Sequence, residues 1–308
     1  MAWLEMTLNT PQGSVNALVT ELTALGFEDL CIEDQQEFES FLEENREYWD
    51  YIDESLEKQL QGLSRVKLYL EDTDAGNLKK LRAFAEKKGL PLEEKALPDT
   101  DWSESWKENY PPQEVGQSLV VLPYWLSEDY RGDRKMVVLD PGLTFGTGAH
   151  PSTQMVMEAM EQTVTTGMHC LDLGSGSGIL SIVALLLGAK DAFACDIDDK
   201  CVGVAYENAA LNGVGREHYT VRAGDVLSDK GLQKEFGGDY DVIVANIVAD
   251  VIIALAPQVG RLLKKGGIFL CSGIIDDRAD EVREKLVEAG WQIEETRSSE
   301  GWFSYLCR

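Results

Sequence analysis

Residues 169–180 read His169-Cys170-Leu171-Asp172-Leu173-Gly174-Ser175-Gly176-Ser177-Gly178-Ile179-Leu180. A short apolar run meets three glycines at alternate positions and leaves into an apolar stretch. That is the pattern of a strand turning into a helix beside a ligand. Gly174, Gly176 and Gly178 allow positive φ and close approach of a ligand to the backbone. The helix that follows presents unpaired N–H groups at its start. A dinucleotide fingerprint would put its third glycine at position 179, where this chain has Ile. That departure argues against a pyrophosphate-bearing cofactor, and so against an NAD-dependent oxidoreductase.

Three polar residues extend the pattern. Asp196 ends the apolar run Ala192-Phe193-Ala194-Cys195, 22 residues after Gly174. An acid at that offset accepts hydrogen bonds from both hydroxyls of a ribose. Asp198 is a competing acid two residues on, and its position also suits a cap for a helix over 199–212. Asp225 follows Tyr219–Ala223, and Asn246 ends Tyr240–Ala245. In an open parallel sheet, ligands bind beyond the carboxyl ends of the strands, and Asp172, Asp196, Asp225 and Asn246 are all predicted to lie there. Each alone is a common turn residue; four at successive strand ends favour a binding site.

The elements that would position them are α/β throughout. After the glycines, Ile179–Leu187 reads as a helix, Gly267–Cys271 as a strand and Glu281–Ala289 as a helix. The runs Trp291–Thr296 and Trp302–Leu306 read as a final pair of strands. Upstream, Leu119–Leu122 and Met136–Leu139 are predicted strands. They lead into a second glycine-rich loop, Asp140-Pro141-Gly142-Leu143-Thr144-Phe145-Gly146-Thr147-Gly148-Ala149-His150-Pro151-Ser152-Thr153. A helix is expected from about Ser152, with Pro151 in its first turn and His150 as a loop or cap residue.

The glycine triplet with its acid resembles the class I S-adenosylmethionine (AdoMet) methyltransferases. The Phe145-Gly146-Thr147-Gly148 loop, the run Asn246-Ile247-Val248-Ala249 and the Asp101-Trp102…Trp106 segment narrow this. Together they resemble the bacterial ribosomal protein L-eleven methyltransferase (PrmA) family over essentially the whole chain. Val248 stands where that family usually has Leu. The resemblance implies an α/β fold with a seven-stranded, mostly parallel sheet whose last strand is antiparallel. It implies AdoMet as cofactor, contacted by Thr153, Gly174, Asp196 and Asn246, with Asp225 near the adenine. It also implies that Phe145 and Thr147 border the methyl-transfer channel and that Asn246 acts in catalysis. The expected activity is N-methylation of lysine and N-terminal amines of a large-subunit ribosomal protein. The alternatives are a small-molecule N- or O-methyltransferase and a non-catalytic AdoMet-binding protein. Asn246 has a carbonyl that can orient an amine but no basicity, and no metal is expected.

The chain has 308 residues, which suggests about two domains. In residues 1–97, strand and helix patterns alternate as β-α-β-β-α-β, matching a small ferredoxin-like α+β domain. Residues 98–118 are expected to be a linker helix, capped by Asp101 and Glu104, with Trp102 and Trp106 packing on one face. Residues 119–308 would then form the AdoMet-binding catalytic domain, and 1–97 a substrate-docking domain.

Charge limits the partners. With 28 Lys+Arg against 54 Asp+Glu the net charge is −26. Such a field repels phosphate backbones and anionic membranes and favours a basic protein. Fourteen of the acids fall between Glu21 and Glu57, against one base, Arg46. Short amphipathic helices are expected there, with a solvated face the more ordinary role. The six cysteines form no C-x-x-C pair, which favours reduced thiols. No run reaches the ~20 apolar residues of a membrane span, and no basic leader precedes an apolar stretch. A cytoplasmic location is expected.

Overall fold

The computed structural model describes residues 3–27, 30–44, 60–97, 110–141 and 146–308. Phe145, Asp101, Glu104, Trp102 and Trp106 lie outside the described residues, as does most of the second half of the acidic stretch. The chain divides into two compact units, residues 1–109 and 110–308.

In the first unit, β1 (Trp3–Asn9), β2 (Cys31–Asp34), β3 (Ser64–Glu71) and β4 (Leu92–Leu97) form one sheet. Its order is β2-β3-β1-β4, with antiparallel neighbours throughout. Helices α1 (Val15–Ala24) and α3 (Ala75–Lys88) supply Leu18, Leu22, Leu78 and Leu81 to a core shared with Met6, Leu8, Val66 and Leu68 of the sheet. Asp74 caps α3 by accepting the Asn77 N–H at 3.0 Å, and Gly89 ends it in the left-handed region. The expected ferredoxin-like order is present. Helix α2 (Gln35–Glu44) falls in the acidic stretch.

The second unit opens with β5 (Gln113–Val115), β6 (Leu119–Pro123) and β7 (Lys135–Leu139), a three-stranded sheet of its own. β5 pairs with β6, so residues 110–118 of the expected linker lie in this unit. Then follow α4 (Pro151–Thr163), β8 (His169–Leu173), α5 (Ile179–Leu187), β9 (Asp191–Asp196), α6 (Lys200–Leu211), β10 (Tyr219–Ala223) and α7 (Lys230–Phe236). The chain ends with β11 (Tyr240–Asn246), α8 (Ala249–Val259), β12 (Leu263–Ile275), α9 (Asp276–Glu288), β13 (Ile293–Ser299) and β14 (Trp302–Cys307). β12 is longer than its apolar centre suggests. α9 starts at Asp276, where Asp276 and Asp277 favour the helix N-terminus.

The seven-stranded sheet has the order β10-β9-β8-β11-β12-β14-β13. β10 through β12 are parallel, and β14 runs antiparallel to both neighbours. Alternate residues of the central strands feed opposite layers. Val242 and Val244 pack with α4, α5 and α6, while Ile243 and Ala245 pack with α7, α8 and α9. The strand order reverses between β8 and β11. A crevice at such a switch point is where open sheets bind ligands. Among the described residues no helix is long and apolar enough to cross a membrane.

Candidate active site

The glycine loop leaves β8 at this switch point. Gly174 N–H and Ser175 N–H both donate to the Cys195 carbonyl, at 2.9 and 3.0 Å, which ties the loop to the end of β9. Gly178 starts α5 with φ 81°. Gly174 is required by close approach: at φ 77°, an added Cβ would overlap the Ile247 side chain. Ile247 follows Asn246, so the ends of β8 and β11 interlock here.

Asp196 is half-buried at the end of β9. One carboxylate oxygen accepts the Gly176 N–H at 2.8 Å and the other the Asp198 N–H at 3.0 Å. The Cys201 thiol also faces this carboxylate, which with about four acceptor positions keeps capacity for a ribose hydroxyl. Asp198 accepts the Lys200 N–H at 3.0 Å where α6 begins, the capping role expected of the competing acid. Asp225 lies two residues past the end of β10 and closes a turn, accepting Leu227 N–H at 2.8 Å and the Ser228 hydroxyl at 2.5 Å. Those bonds, the Ser228 hydroxyl foremost, hold its carboxyl below the usual range. The Gly224 N–H, one residue before, donates to the Asp196 carbonyl at 2.8 Å, so the two strand ends adjoin.

Asn246 donates from Nδ2 to Thr153 Oγ1 at 3.0 Å. Thr153 is buried in the first turn of α4. Gly273 in the neighbouring strand β12 makes room for this corner: at φ 85°, a Cβ would lie 2.6 Å from the Ile247 carbonyl oxygen and 3.0 Å from Asn246 Oδ1. Its neighbour Ser272 accepts the Ile247 N–H through its carbonyl at 3.1 Å. His150 is the N-cap of α4. Its Nδ1 lies 2.7 Å from Ser152 Oγ, and its ring meets Trp302 edge-on with centroids 4.5 Å apart. Burial lowers the His150 pKa, which keeps the ring neutral as a cap. Thr147 is half-buried, next to Gly146, whose carbonyl accepts the Ser177 hydroxyl at 2.7 Å.

Beneath the loop Asp172 is fully buried. Its Oδ2 accepts Ser181 N–H and Oγ–H at 3.1 and 2.7 Å, whereas Oδ1 has no partner. Burial pushes its carboxyl up to about 7. Cys195 and Cys201 are buried thiols, the core positions their setting predicts.

Thus the structure brings Gly174, Gly176, Gly178, Asp196, Asn246 and Thr153 to one end of the sheet, with Asp225 beside Asp196. Several residues at the same corner were not singled out from the sequence. Ile197, beside Asp196, is an apolar residue with 72% exposure. Ser177, Gly273 and Asn208 are the others; for Asn208 the signal was an Asn inside α6, where a helix interior disfavours it, four residues before Asn212 at the helix C-cap.

Comparisons with known proteins show what the whole chain is similar to. The model of the family "Ribosomal protein L11 methyltransferase (PrmA)" matches residues 2–308. A ribosomal protein L11 methyltransferase of Heliobacterium modesticaldum is 38% identical, covering 100% of this chain and 98% of that protein. One from an Exiguobacterium species is 36% identical, covering 100% and 99%. A crystal structure of a ribosomal protein L11 methylase from Lactobacillus delbrueckii subsp. bulgaricus is similar with a TM-score of 0.58. It is 34% identical and covers 65% of this chain and 98% of that chain.

Proposed function

The chain belongs to the ribosomal protein L11 methyltransferase family, and from that premise we propose how its residues move a methyl group from AdoMet to amines of ribosomal protein L11. It is an AdoMet-dependent protein methyltransferase with the class I fold. The cofactor suits the crevice, because Asp196 keeps acceptor capacity at the strand end beside the glycine loop. In our reading Asp196 binds the ribose, exposed Ile197 covers the adenine, and the backbone of the Gly174–Gly178 loop lines the methionine side. When bound, AdoMet supplies a methyl group already activated by a sulfonium.

The protein's work is then alignment. A lysine amine has a pKa of about 10.4 and must lose a proton to water before it can attack. An apolar channel lowers that pKa by desolvation. Because Asn246 Nδ2 is engaged by Thr153, its Oδ1 is left to accept an N–H of the amine and aim the lone pair. Thr147 is the described residue we assign to that channel, and the role expected of Phe145 lies outside the described residues. His150 acts through α4 rather than as a base, since its Nδ1 faces Ser152.

The first unit docks the substrate. The family match spans both units, which favours a macromolecular substrate over a small molecule. The net charge of −26 favours a basic protein partner over nucleic acid, and the site of action is the cytoplasm. The observation that carries the reading is the Asn246–Thr153 bond at the switch point, beside the glycine loop. Mass spectrometry of ribosomal protein L11 incubated with this protein and AdoMet tests it. Methyl-sized mass increments on lysine or N-terminal amines are expected; an unmodified substrate refutes the assignment.

A further inference from the structure

Asn208 is fully buried on α6, and its carboxamide is used at both ends. Oδ1 accepts the Asp140 N–H at 2.9 Å, and Nδ2 donates to the Ser177 carbonyl at 2.9 Å. Asp140 begins the second glycine-rich loop, and Ser177 lies inside the first. The Ser177 hydroxyl in turn donates to the Gly146 carbonyl at 2.7 Å, next to Thr147. One turn on, Asn212 accepts the Val138 N–H at 2.8 Å, donates to the Val138 carbonyl at 2.7 Å and donates to the Asn208 carbonyl at 2.8 Å. Asp140, where the loop that carries Thr147 begins, and Gly146, the residue before Thr147, are therefore fastened to the cofactor loop through Asn208 and Ser177.

We propose that Asn208 is a positioning residue, which acts through Ser177 to hold the cofactor loop and the Thr147 segment as one unit. Two carbonyls and an N–H from loops far apart in sequence converge on one amide and one hydroxyl. A buried amide left unpaired at either end bears the full penalty of its desolvation, so the network has one satisfied arrangement. Helix packing alone gives no reason for this arrangement, because an apolar residue would fill the same space. Transfer depends on sub-ångström alignment of reacting atoms, so a loosened Thr147 segment should slow turnover more than it weakens binding. The inference rests on Thr147 bordering the transfer site.

The test is steady-state kinetics of full-length Asn208→Ala and Ser177→Ala with ribosomal protein L11 and AdoMet. Calorimetry of AdoMet and thermal melting accompany it. Asn208→Ala should lower kcat at least tenfold, with KM for the protein and AdoMet affinity within threefold of the parent. Ser177→Ala should lower kcat severalfold, and the double variant should be no slower than Asn208→Ala alone, as expected for residues acting as a unit. A kcat within twofold of the parent overturns the proposal, as does a loss confined to AdoMet affinity or to melting temperature. If Asn208→Ala does not fold, Ser177→Ala decides alone, because it removes a single oxygen; an unchanged kcat then overturns it. Failure of the functional reading is distinguishable, since the parent enzyme itself would leave the substrate unmethylated.

Discussion

Asn246 Nδ2 donates to Thr153 Oγ1 across 3.0 Å, joining the end of β11 to the first turn of α4. The bond fixes which face of the Asn246 amide is available. Nδ2 is engaged, so Oδ1 is the atom that can receive a substrate N–H. A helix start and a strand end 93 residues apart are thereby set in one geometry.

The first prediction follows from that bond. Asn246→Ala should reduce kcat on the order of 10²-fold, the scale of a misplacement of about 1 Å. KM values should change little, because alignment counts most in the transition state. Thr153→Val keeps the shape of Thr153 but removes the acceptor, and should reduce kcat about tenfold. Asn246→Asp places a carboxylate where the amine should sit neutral. It should hold the ammonium form and move the pH optimum upward. Saturating kinetics of the three variants check this. Near-normal turnover by Asn246→Ala would assign the orienting role elsewhere.

Asp196→Ala should weaken AdoMet binding at least tenfold, since hydrogen bonds to a charged acceptor contribute about 1.5–3 kcal/mol. The structure adds a second route to the loss. The same carboxylate holds the Gly176 and Asp198 N–H groups, so its removal also loosens the glycine loop. Asp196→Asn separates the two, because an amide keeps one acceptor. It should retain more affinity than Asp196→Ala by calorimetry, and equal losses in both variants would show that charge alone matters.

Features carried by contiguous residues were legible in the sequence. The apolar run into Gly174-Ser175-Gly176 needs no distant partner to be read, and the first unit's strands alternate visibly. Spacing alone leaves Asp196 and Asp198 alike as acids near a strand end; what distinguishes them is their backbone partners, Lys200 N–H for Asp198 and the Gly176 N–H of the glycine loop for Asp196. Features made by residues far apart were not legible. Ile247 fits against Gly174, and Asn208 reaches Asp140 68 positions away, and neither spacing has a local signature. β5 was missed because three residues are too few to show a period.

The two units supply a third prediction. A chain beginning at Tyr110 should fold and bind AdoMet within threefold of the full-length affinity, because the switch-point crevice is built within that unit. Starting at Val115 would instead remove most of β5, which pairs with β6. The shortened chain should methylate ribosomal protein L11 with kcat/KM at least tenfold lower, having lost its docking unit. Equal rates with full-length protein would mean that the first unit does not dock substrate.

The last prediction concerns the buried carboxyl of Asp172. Burial raises it from the ordinary 3.8 to about 7, and Ser181 offsets only part of the penalty. The folded state therefore holds a proton that the unfolded chain releases above pH 4. The sign follows: stability from this group is greatest at low pH, falls as pH rises from about 4, and levels off above about 7. At about 1.4 kcal/mol per pH unit, the loss between pH 5 and pH 8 is on the order of 2–3 kcal/mol. The other acidic groups also titrate, but they are common to a variant that differs only here. Asp172→Asn keeps the size and the acceptor for Ser181 while removing the charge. Urea unfolding of both proteins at pH 5, 6, 7 and 8 measures the difference. The parent should lose stability relative to Asp172→Asn by that amount across the range, with the slope ending near pH 7. Parallel curves would mean that Asp172 is ionised throughout, and that the unpartnered Oδ1 is solvated in the folded protein after all.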